Sequence, residues 1–363
     1  MSSEPLIQGG LAGGHGGGAG PGGPGGPLGP AATADSLLTA RPASLWRDTL
    51  ASILRQRSAV VGLVILGFLV IVGLLAGPSV TTTSKGLEDS WPPYGTDPGG
   101  IHLAPFDPTL PLLGEAGQEN LARFAPPCVH ALGCPETQPE HIFGVDGNFR
   151  DLFSRVVYGT RVSVPSGFIA IGIAILIGTM IGAIAGYIGG WLDNLLMRIM
   201  DVLLAFPSFL LAIIITVALG RTLNNALLAV GIVGIPVYAR IVRASVLSIR
   251  ENEFVTASRA LGESSMGILV RRVMPNSLTP LIVQGTLGIG GAVLEIAGLA
   301  FIGVTGDISV PEWGSMISLV RGQLFNSPHV VLLPGFAITL TVLGFNLLGD
   351  GIRDLLDPRL RNL

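Results

Sequence analysis

Six apolar segments, each long enough to cross a bilayer, constrain this chain more than any other feature. The first, AVVGLVILGFLVIVGLLAG at 59–77, carries no charge and would extend for about 28 Å as a helix, which matches a bilayer core. The others lie at approximately 162–188, 202–220, 223–246, 279–304 and 331–349. With 49% apolar and only 12% charged residues, the chain belongs in a membrane. We predict an all-α polytopic membrane protein with six transmembrane helices.

The first apolar run also sets the orientation. It is longer than the apolar region of a cleaved signal peptide, about 7 to 15 residues, and lies some way from the start, so we interpret it as an uncleaved span with its N-terminus inside. This orientation places about two thirds of the 21 Lys and Arg residues on the cytoplasmic side, in line with the positive-inside rule. We therefore predict that both termini are cytoplasmic.

Composition divides the rest of the chain. Residues 9–32 are nearly all Gly, Pro and Ala and cannot bury enough apolar surface to offset the entropy of ordering, so they form dispensable filler or a functional tail. The predicted segments are a disordered Gly/Pro-rich cytoplasmic tail at 1–40, a basic flank and first span at 41–78, an extracytoplasmic loop-rich subdomain at 79–160, a five-helix core at 161–350 with a cytoplasmic loop at 248–276, and a cytoplasmic C-terminus at 351–363.

The only two cysteines, Cys128 and Cys134, lie in the predicted extracytoplasmic subdomain, within PCVHALGC. On the oxidising side of a membrane, this spacing favours a small disulfide-closed loop. Two free thiols, or a metal site that also uses His130, are the alternatives. Since a zinc site usually has four ligands, we predict the disulfide and neither a metal nor another cofactor.

A charged motif, HIFGVDGNFRDLFSRVVYGTRVSV, precedes the second span. Asp146 and Asn148 resemble the start of a calcium loop, but Asp151 and Val157 occupy the positions that require Gly and Glu, so we exclude calcium. Asp151 and Arg155 are four apart and could pair on a helix. The apolar residues around them predict a helix along the outer interface before the second span.

Two patterns surround the end of the second span. Gly178, Gly182, Gly186 and Gly190 recur at every fourth position and predict close helix packing, although glycine is abundant, at 52 residues. The following stretch, GGWLDNLLMRIMDVLLAFPSF, places its polar residues on one side at helical spacing and predicts an amphipathic helix at the cytoplasmic interface.

A polar insertion, RENEFVTASRALGESSMGILVRRVMPNSLTPLI, separates the fourth and fifth spans. A short apolar stripe ends at Leu261, and Gly262 occupies the place of a left-handed helix cap. Ser264 or Ser265 can cap a second helix, which Pro275 is expected to end. We predict a helix, a sharp turn and a second helix that project from the membrane as one unit and fit a groove on another protein.

This insertion resembles the EAA loop of permeases from ABC importers of the dipeptide, oligopeptide and nickel branch. The leading Glu-Ala-Ala of that family reads Val-Thr-Ala or Thr-Ala-Ser here. The residues to which the resemblance assigns coupling to an ATPase are Glu253, Phe254, Ala257, Ala260, Leu261, Gly262 and Pro275.

The resemblance extends over about 140–363. The motif before the second span is similar to that of the family, including Asp146, Arg150, Asp151 and Arg155, and departs at Phe149, where the family commonly has Gly. GGWLDNLLMRIMDVLLAFPSFLLA, LEIAGLAFIGVTGDISVPEWGSMI and GFNLLGDGIRDLLDPRLR follow in the family's order. The family resemblance does not explain the Gly-rich tail or the cysteine-bearing loop.

The resemblance implies the type I ABC importer permease fold in a bacterial plasma membrane. It also implies a homologous second permease subunit, two ATP-binding subunits that the loop at 250–275 contacts, and an extracytoplasmic substrate-binding protein. The implied activity is import of di- or oligopeptides, although relatives of similar sequence also handle glutathione, nickel chelates and haem-like ligands. Neither nucleic acid nor a cofactor is implied.

Other classes of protein fit the sequence less well. The chain has no HExxH or G-x-S-x-G motif and no phosphate loop before Lys85, its single lysine, so we predict that it is not an enzyme and has no ATPase site. A secondary carrier would hold several ionisable residues near the midplane, whereas the spans offer mainly Glu295, to which the family resemblance assigns a polar contact at the subunit interface or in the outer part of the pathway. A carrier or channel that docks another partner through the cytoplasmic helix pair remains the alternative.

Overall fold

The computed structural model describes residue 54 and residues 56–77, 103–112, 121–135, 140–306 and 310–356. The predicted tail at 1–40 lies outside these residues, as does much of the predicted extracytoplasmic subdomain. The described part contains no strand, only two isolated bridges. Its helices are α1 Arg57–Leu74, α2 Leu152–Ile188, α3 Gly190–Leu204, α4 Ser208–Leu219, α5 Leu223–Ile249, α6 Glu253–Ala260, α7 Ser265–Ile302, α8 Trp313–Val320 and α9 Pro328–Leu356.

The all-α prediction is confirmed, and the number of spans is close to the prediction. Within the described residues, five helices are long and apolar enough to cross a membrane, namely α1, α2, α5, α7 and α9. The third predicted span, 202–220, is different, because α3 and α4 meet at an angle of 91°. Counting this bent pair as one span gives six. The span begins at Ser208 because Pro207 has no N–H with which to continue α3.

The second span starts earlier than predicted. The prediction of a separate interfacial helix before this span was wrong, because α2 is one continuous helix of 37 residues from Leu152. Asp151 is its N-cap and accepts a hydrogen bond from the backbone N–H of Ser154 at 2.7 Å. A cap at Asp151 fixes the start of the helix there, so the apolar residues that follow belong to its first turns.

Glycines let α2 and α5 approach each other closely, as predicted for three of the four. A Cβ at Gly178 would lie 2.8 Å from Cβ of Tyr238, and one at Gly186 would lie 2.9 Å from the carbonyl oxygen of Arg243. A Cβ at Gly182 would collide with the carbonyl oxygen of Ala239. Gly190 instead lies at the break between α2 and α3, with φ of +65° and open space around it, so its predicted packing role was wrong.

The first span packs against the last. A Cβ at Gly62 of α1 would lie 2.6 Å from the backbone nitrogen of Leu348, and one at Gly351 of α9 would lie 2.5 Å from Cβ of Ala59. Helix α7 contacts α2, α5 and α9, which places it at the centre of the bundle. The five long helices therefore form one connected bundle.

The described residues between α1 and α2, which we call the cap segment (103–112, 121–135 and 140–151), pack at one end of this bundle. Phe106 donates its backbone N–H to Oγ of Ser154 at 3.1 Å. The structure joins Cys128 and Cys134 by a disulfide with Cα atoms 5.4 Å apart. Backbone hydrogen bonds of 2.9 Å in both directions between Cys128 and His141 hold the base of this small loop. We call this end of the bundle the cap end.

Candidate functional site

A helical hairpin, residues 250–275, projects from the opposite end of the bundle and consists of α6 and the first part of α7. Its first helix, α6, ends in a Schellman motif, in which the N–H of Glu263 bonds the carbonyl of Ser258 at 3.2 Å and that of Gly262 bonds Arg259 at 3.1 Å. Gly262 has φ of +82°. The predicted left-handed turn at Gly262 is therefore confirmed, and the next helix begins at Ser265.

The surface of this hairpin carries the residues predicted to couple to an ATPase. Leu261 is 87% exposed and Phe254 is 42% exposed. The remaining members of the predicted set are exposed as well, namely Glu253, Ala257, Ala260, Gly262 and Pro275. Phe254, Ala257 and Leu261 share one helix face, since they are separated by three and four positions. An apolar face of this kind on a short helix fits a groove on a partner protein.

The other side of the hairpin anchors it to the bundle. Val255 and Val273 are fully buried and Ile268 is 1% exposed, and all three belong to the same apolar cluster as Val246 of α5. Val255 therefore faces away from the exposed side chains of Phe254 and Leu261. The buried side of the hairpin therefore shares one apolar cluster with the end of α5.

The second helix of the hairpin does not end at Pro275, contrary to the prediction. Ser264 caps it by accepting a hydrogen bond from the N–H of Gly267 at 3.2 Å, as predicted. The helix then forms a π-helical turn at Leu269–Val273 and continues as an α-helix from Met274 to Ile302. Pro275 lies in the first turn of the α-helical segment that begins at Met274. A backbone N–H in the first turn of an α-helix has no carbonyl partner within the helix, so the proline, which lacks an N–H, is tolerated there.

Arg243 of α5 and Arg250 just after it, which the sequence did not single out, join the hairpin end to other helices. Arg243 pairs with Asp193 of α3 through two hydrogen bonds of 2.5 and 2.7 Å. Arg250, just after α5, donates to the backbone carbonyl of Gly186 in α2 at 2.8 Å. The polar side of α3 thus faces α5, and its acidic residues were the available signal for this pairing.

At the cap end, the four residues of the motif before the second span come together and are buried. Asp146 accepts hydrogen bonds from Nε and from the backbone N–H of Arg150, at 2.8 and 3.0 Å. Its other charged neighbour is Arg155, whose Nε lies 3.5 Å away. Arg155 also donates to the carbonyl of Pro108 at 2.6 Å, which ties the cap segment to α2.

The predicted pair between Asp151 and Arg155 does not form. The Asp151 carboxylate turns back to cap the first turn of α2, and Arg155 turns to Asp146 instead. Asp151 is 1% exposed, and this burial raises the pKa of its carboxyl from 3.8 to about 6. The motif therefore acts as the structured start of α2.

Phe149 occupies the position where the ABC-importer permeases that the sequence resembles commonly have glycine. It adopts the backbone conformation that glycine favours. Its φ is +60°, which costs roughly 1 to 2 kcal/mol for a residue with a Cβ. The ring packs against the apolar cluster of the cap segment, and the guanidinium of Arg123 lies 5.6 Å from its centroid. Packing of the ring thus offsets the backbone cost.

Glu295 lies in α7, partly buried, with a hydrogen bond to Ser208 at the start of α4. Phe209, the next residue of α4, packs on α7 at Gly298, where a Cβ would lie 3.1 Å from its ring. The carboxyl therefore meets the bend between α3 and α4. Its partner among the described residues is a hydroxyl rather than a cation.

A buried acid outside the spans, Glu312, was not singled out from the sequence. It is 3% exposed and caps α8 by accepting hydrogen bonds from the N–H groups of Gly314 and Ser315 at 2.9 and 2.8 Å. Burial raises the pKa of its carboxyl. The available signal was the acid just before the first residue of a helix.

Two families of known proteins match the chain. "Binding-protein-dependent transport system inner membrane component" matches residues 178–362, which contain the helical hairpin. "N-terminal TM domain of oligopeptide transport permease C" matches residues 44–127.

Three similar proteins align with this chain over most of their own length. The dipeptide transport system permease protein DppC of Alkalihalophilus pseudofirmus is 40% identical over 88% of this chain and 91% of its own. DppC of Haemophilus influenzae is 36% identical over 90% and 99%, respectively. The glutathione transport system permease protein GsiD of Shigella flexneri is 46% identical over 61% and 73%.

Proposed function

The chain belongs to the family of binding-protein-dependent transport system inner membrane components, as an ABC permease of the DppC and OppC type, and we propose that it imports peptides into the cytoplasm. The proposal for peptides rests on the relatives, whose names give dipeptides and glutathione, itself a small peptide, as their substrates. The chain makes or breaks no bond in the substrate in this proposal. It supplies the membrane pathway, and ATP is hydrolysed by partner subunits.

The observation that carries the proposal for ATPase coupling is the exposed apolar face of the helical hairpin. Leu261 at its tip is 87% exposed, on a turn that backbone hydrogen bonds hold in one conformation. Together with Phe254 and Ala257, Leu261 forms an exposed apolar face on a short helix, which favours a partner protein that covers it. Two ATP-binding subunits, one for this chain and one for a homologous second permease, are the proposed partners.

Motion would reach the spans through the buried side of the hairpin. Val255 and Ile268 belong to one buried apolar cluster with Val246 at the end of α5, and the second helix of the hairpin is the first part of α7. A displacement of the hairpin would therefore move α5 and α7 together as levers. Alternating access follows if the bundle has two packings that ATP binding and hydrolysis select between.

The proposed orientation places the helical hairpin and both termini in the cytoplasm, with the cap segment outside. The bias of Lys and Arg towards the hairpin side supports it. The cap end would then receive substrate from an extracytoplasmic binding protein. The disulfide of Cys128 and Cys134 is compatible with that side, where the environment is oxidising.

Reconstitution tests this function against the rival of a secondary carrier. The chain, its second permease and the ATP-binding subunits are placed in liposomes with the binding protein and a labelled dipeptide or tripeptide. We expect uptake that requires ATP and stops with a non-hydrolysable analogue. Uptake driven by a proton or sodium gradient in the absence of the ATP-binding subunits would contradict the proposal.

A further inference from the structure

A groove with apolar walls lies between α1 and α2 near the cap end of the bundle. It encloses about 240 Å³. The floor includes Leu69 and Val164, which are buried, and the rim includes Val70, Leu74 and Pro165, which are exposed. The groove thus opens away from the bundle, along the surface of two membrane-spanning helices.

Its depth in the bilayer limits what can fill it. Val70 and Leu74 belong to the last two turns of α1, which has only 18 residues and needs nearly all of them to cross the hydrocarbon core. Water is excluded from an apolar surface at this depth. The groove is larger than the roughly 150 Å³ apolar cavity that binds benzene. An apolar chain is therefore the occupant that suits its walls.

The positively charged side chain of Arg161 lies at the end of this groove that faces the cap segment. Arg161 lines it, and its guanidinium donates a hydrogen bond to the backbone carbonyl of Gly77, just beyond α1. The same group lies 5.7 Å from the ring centroid of Tyr158. These two contacts hold the guanidinium at the level where α1 leaves the membrane, which is the level of lipid headgroups.

Arg161 has no acidic partner among the described residues, in contrast to Arg150, Arg155 and Arg243. A partly buried guanidinium at the membrane surface needs a negative group, and phosphate matches its forked donors. The groove and the cation together therefore combine the two halves of a phospholipid, an acyl chain and a phosphate.

We propose that this groove binds one phospholipid from the leaflet at the cap end, with an acyl chain against Leu69 and Val164 and the phosphate at Arg161. The bound lipid would bridge α1 and α2 and would brace the first span against the bundle. The proposal does not depend on which substrate the protein carries.

Native mass spectrometry of the assembled, detergent-purified transporter tests the site. The probes are phosphatidylglycerol and diacylglycerol with the same acyl chains, which differ in the phosphate headgroup, together with inorganic phosphate. We expect the wild type to retain one phosphatidylglycerol, with diacylglycerol and inorganic phosphate each bound about tenfold more weakly or worse, since a hydrogen bond to a charged group accounts for at least that factor.

Two variants separate the halves of the site. Arg161→Gln removes the phosphate contact, and Val70→Trp fills the groove from its rim, where Val70 is 54% exposed. Arg161→Gln should lower the occupancy of phosphatidylglycerol about tenfold or more. Val70→Trp should lower it as well, because the indole ring takes the place of the acyl chain. Val64→Trp is the matched control, because Val64 is 66% exposed on the same helix but does not line the groove, and it should retain the lipid.

Several outcomes would overturn the proposal. Equal retention of phosphatidylglycerol by the wild type, Arg161→Gln and Val70→Trp would do so, as would equal binding of diacylglycerol by the wild type. Occupation by the second permease is tested with a photoreactive side chain at position 70 of the assembled transporter. Crosslinking to lipid supports the site, whereas crosslinking only to the second permease contradicts it.

Discussion

The guanidinium of Arg250 donates a hydrogen bond of 2.8 Å to the backbone carbonyl of Gly186, 64 residues earlier in the chain. Arg250 is the first residue after α5 and begins the helical hairpin, while Gly186 lies in the last turn of α2. The bond therefore joins the second span to the start of the helical hairpin. It also satisfies a carbonyl near a helix end, which a cation stabilises.

Arg250→Gln should weaken transport without preventing membrane insertion. Loss of a hydrogen bond from a charged donor costs about 1.5 to 3 kcal/mol, so α2 and α5 would separate more easily at this end. We expect uptake to fall several-fold at equal amounts of protein in the membrane. Arg198→Gln is the control, because Arg198 is exposed and makes no hydrogen bond within the described residues. Equal uptake by both variants would argue against a role for this bond.

Gly182→Val should disrupt the packing of α2 on α5. A Cβ at this position collides with the backbone carbonyl of Ala239, which cannot move without shifting the helix. We expect a clear fall in the midpoint of thermal unfolding, corresponding to roughly 1 to 3 kcal/mol or more. Gly172→Val in the same helix has open space around it and should change the midpoint little. The prediction fails if the two variants unfold together.

The membrane spans and the turn of the helical hairpin could be predicted from the sequence alone. Apolar runs of sufficient length identify the long helices, because the bilayer requires internally hydrogen-bonded segments. Gly262 identifies the turn, because a left-handed residue after an apolar helical stripe is usually glycine. The role of the hairpin in coupling stays a prediction, since its exposure alone does not identify the partner.

Other features depend on contacts between distant residues, which local patterns do not reveal. Pro275 was expected to end a helix, but a π-helical turn before it lets α7 continue. Arg155 was expected to pair with Asp151, four positions away, but it pairs with Asp146 because Asp151 is needed as a cap. Arg250 carries no sequence signal for its bond to Gly186. In each case the competing partner comes from the folded arrangement.

Asp151→Asn should stabilise the protein at neutral pH. The native carboxyl has a pKa near 6 against 3.8 when unfolded, so the native state binds the extra proton and the free energy of unfolding falls as pH rises from about 4 to 6. The full difference is about 3 kcal/mol at most. Asparagine caps a helix as well as aspartate does, without a charge to bury.

Thermal unfolding of the wild type and Asp151→Asn at pH 4.5 and 7.5 checks this expectation. The variant should unfold at a higher temperature than the wild type at pH 7.5, and the gap should narrow at pH 4.5. Lower stability of the variant at pH 7.5 would mean that the charged carboxylate is favoured by its surroundings.

Cys128 and Cys134 should be found as an intramolecular disulfide in protein purified from membranes. The structure places their Cα atoms 5.4 Å apart, within the range for a disulfide. We expect alkylation of both cysteines only after reduction, measured by mass spectrometry of the peptide that contains them. Labelling of both thiols without a reductant would favour the alternative of two free cysteines.

The most direct test of the account is Leu261→Asp in the assembled transporter, measured as ATP-dependent peptide uptake and as retention of the ATP-binding subunits during purification. Leu132→Asp is the matched control, since Leu132 is 86% exposed against 87% for Leu261 but lies in the cap segment. The account predicts that Leu261→Asp inserts normally, loses the ATP-binding subunits and abolishes uptake, while the control retains them. Normal uptake and normal retention by Leu261→Asp would contradict coupling through the helical hairpin.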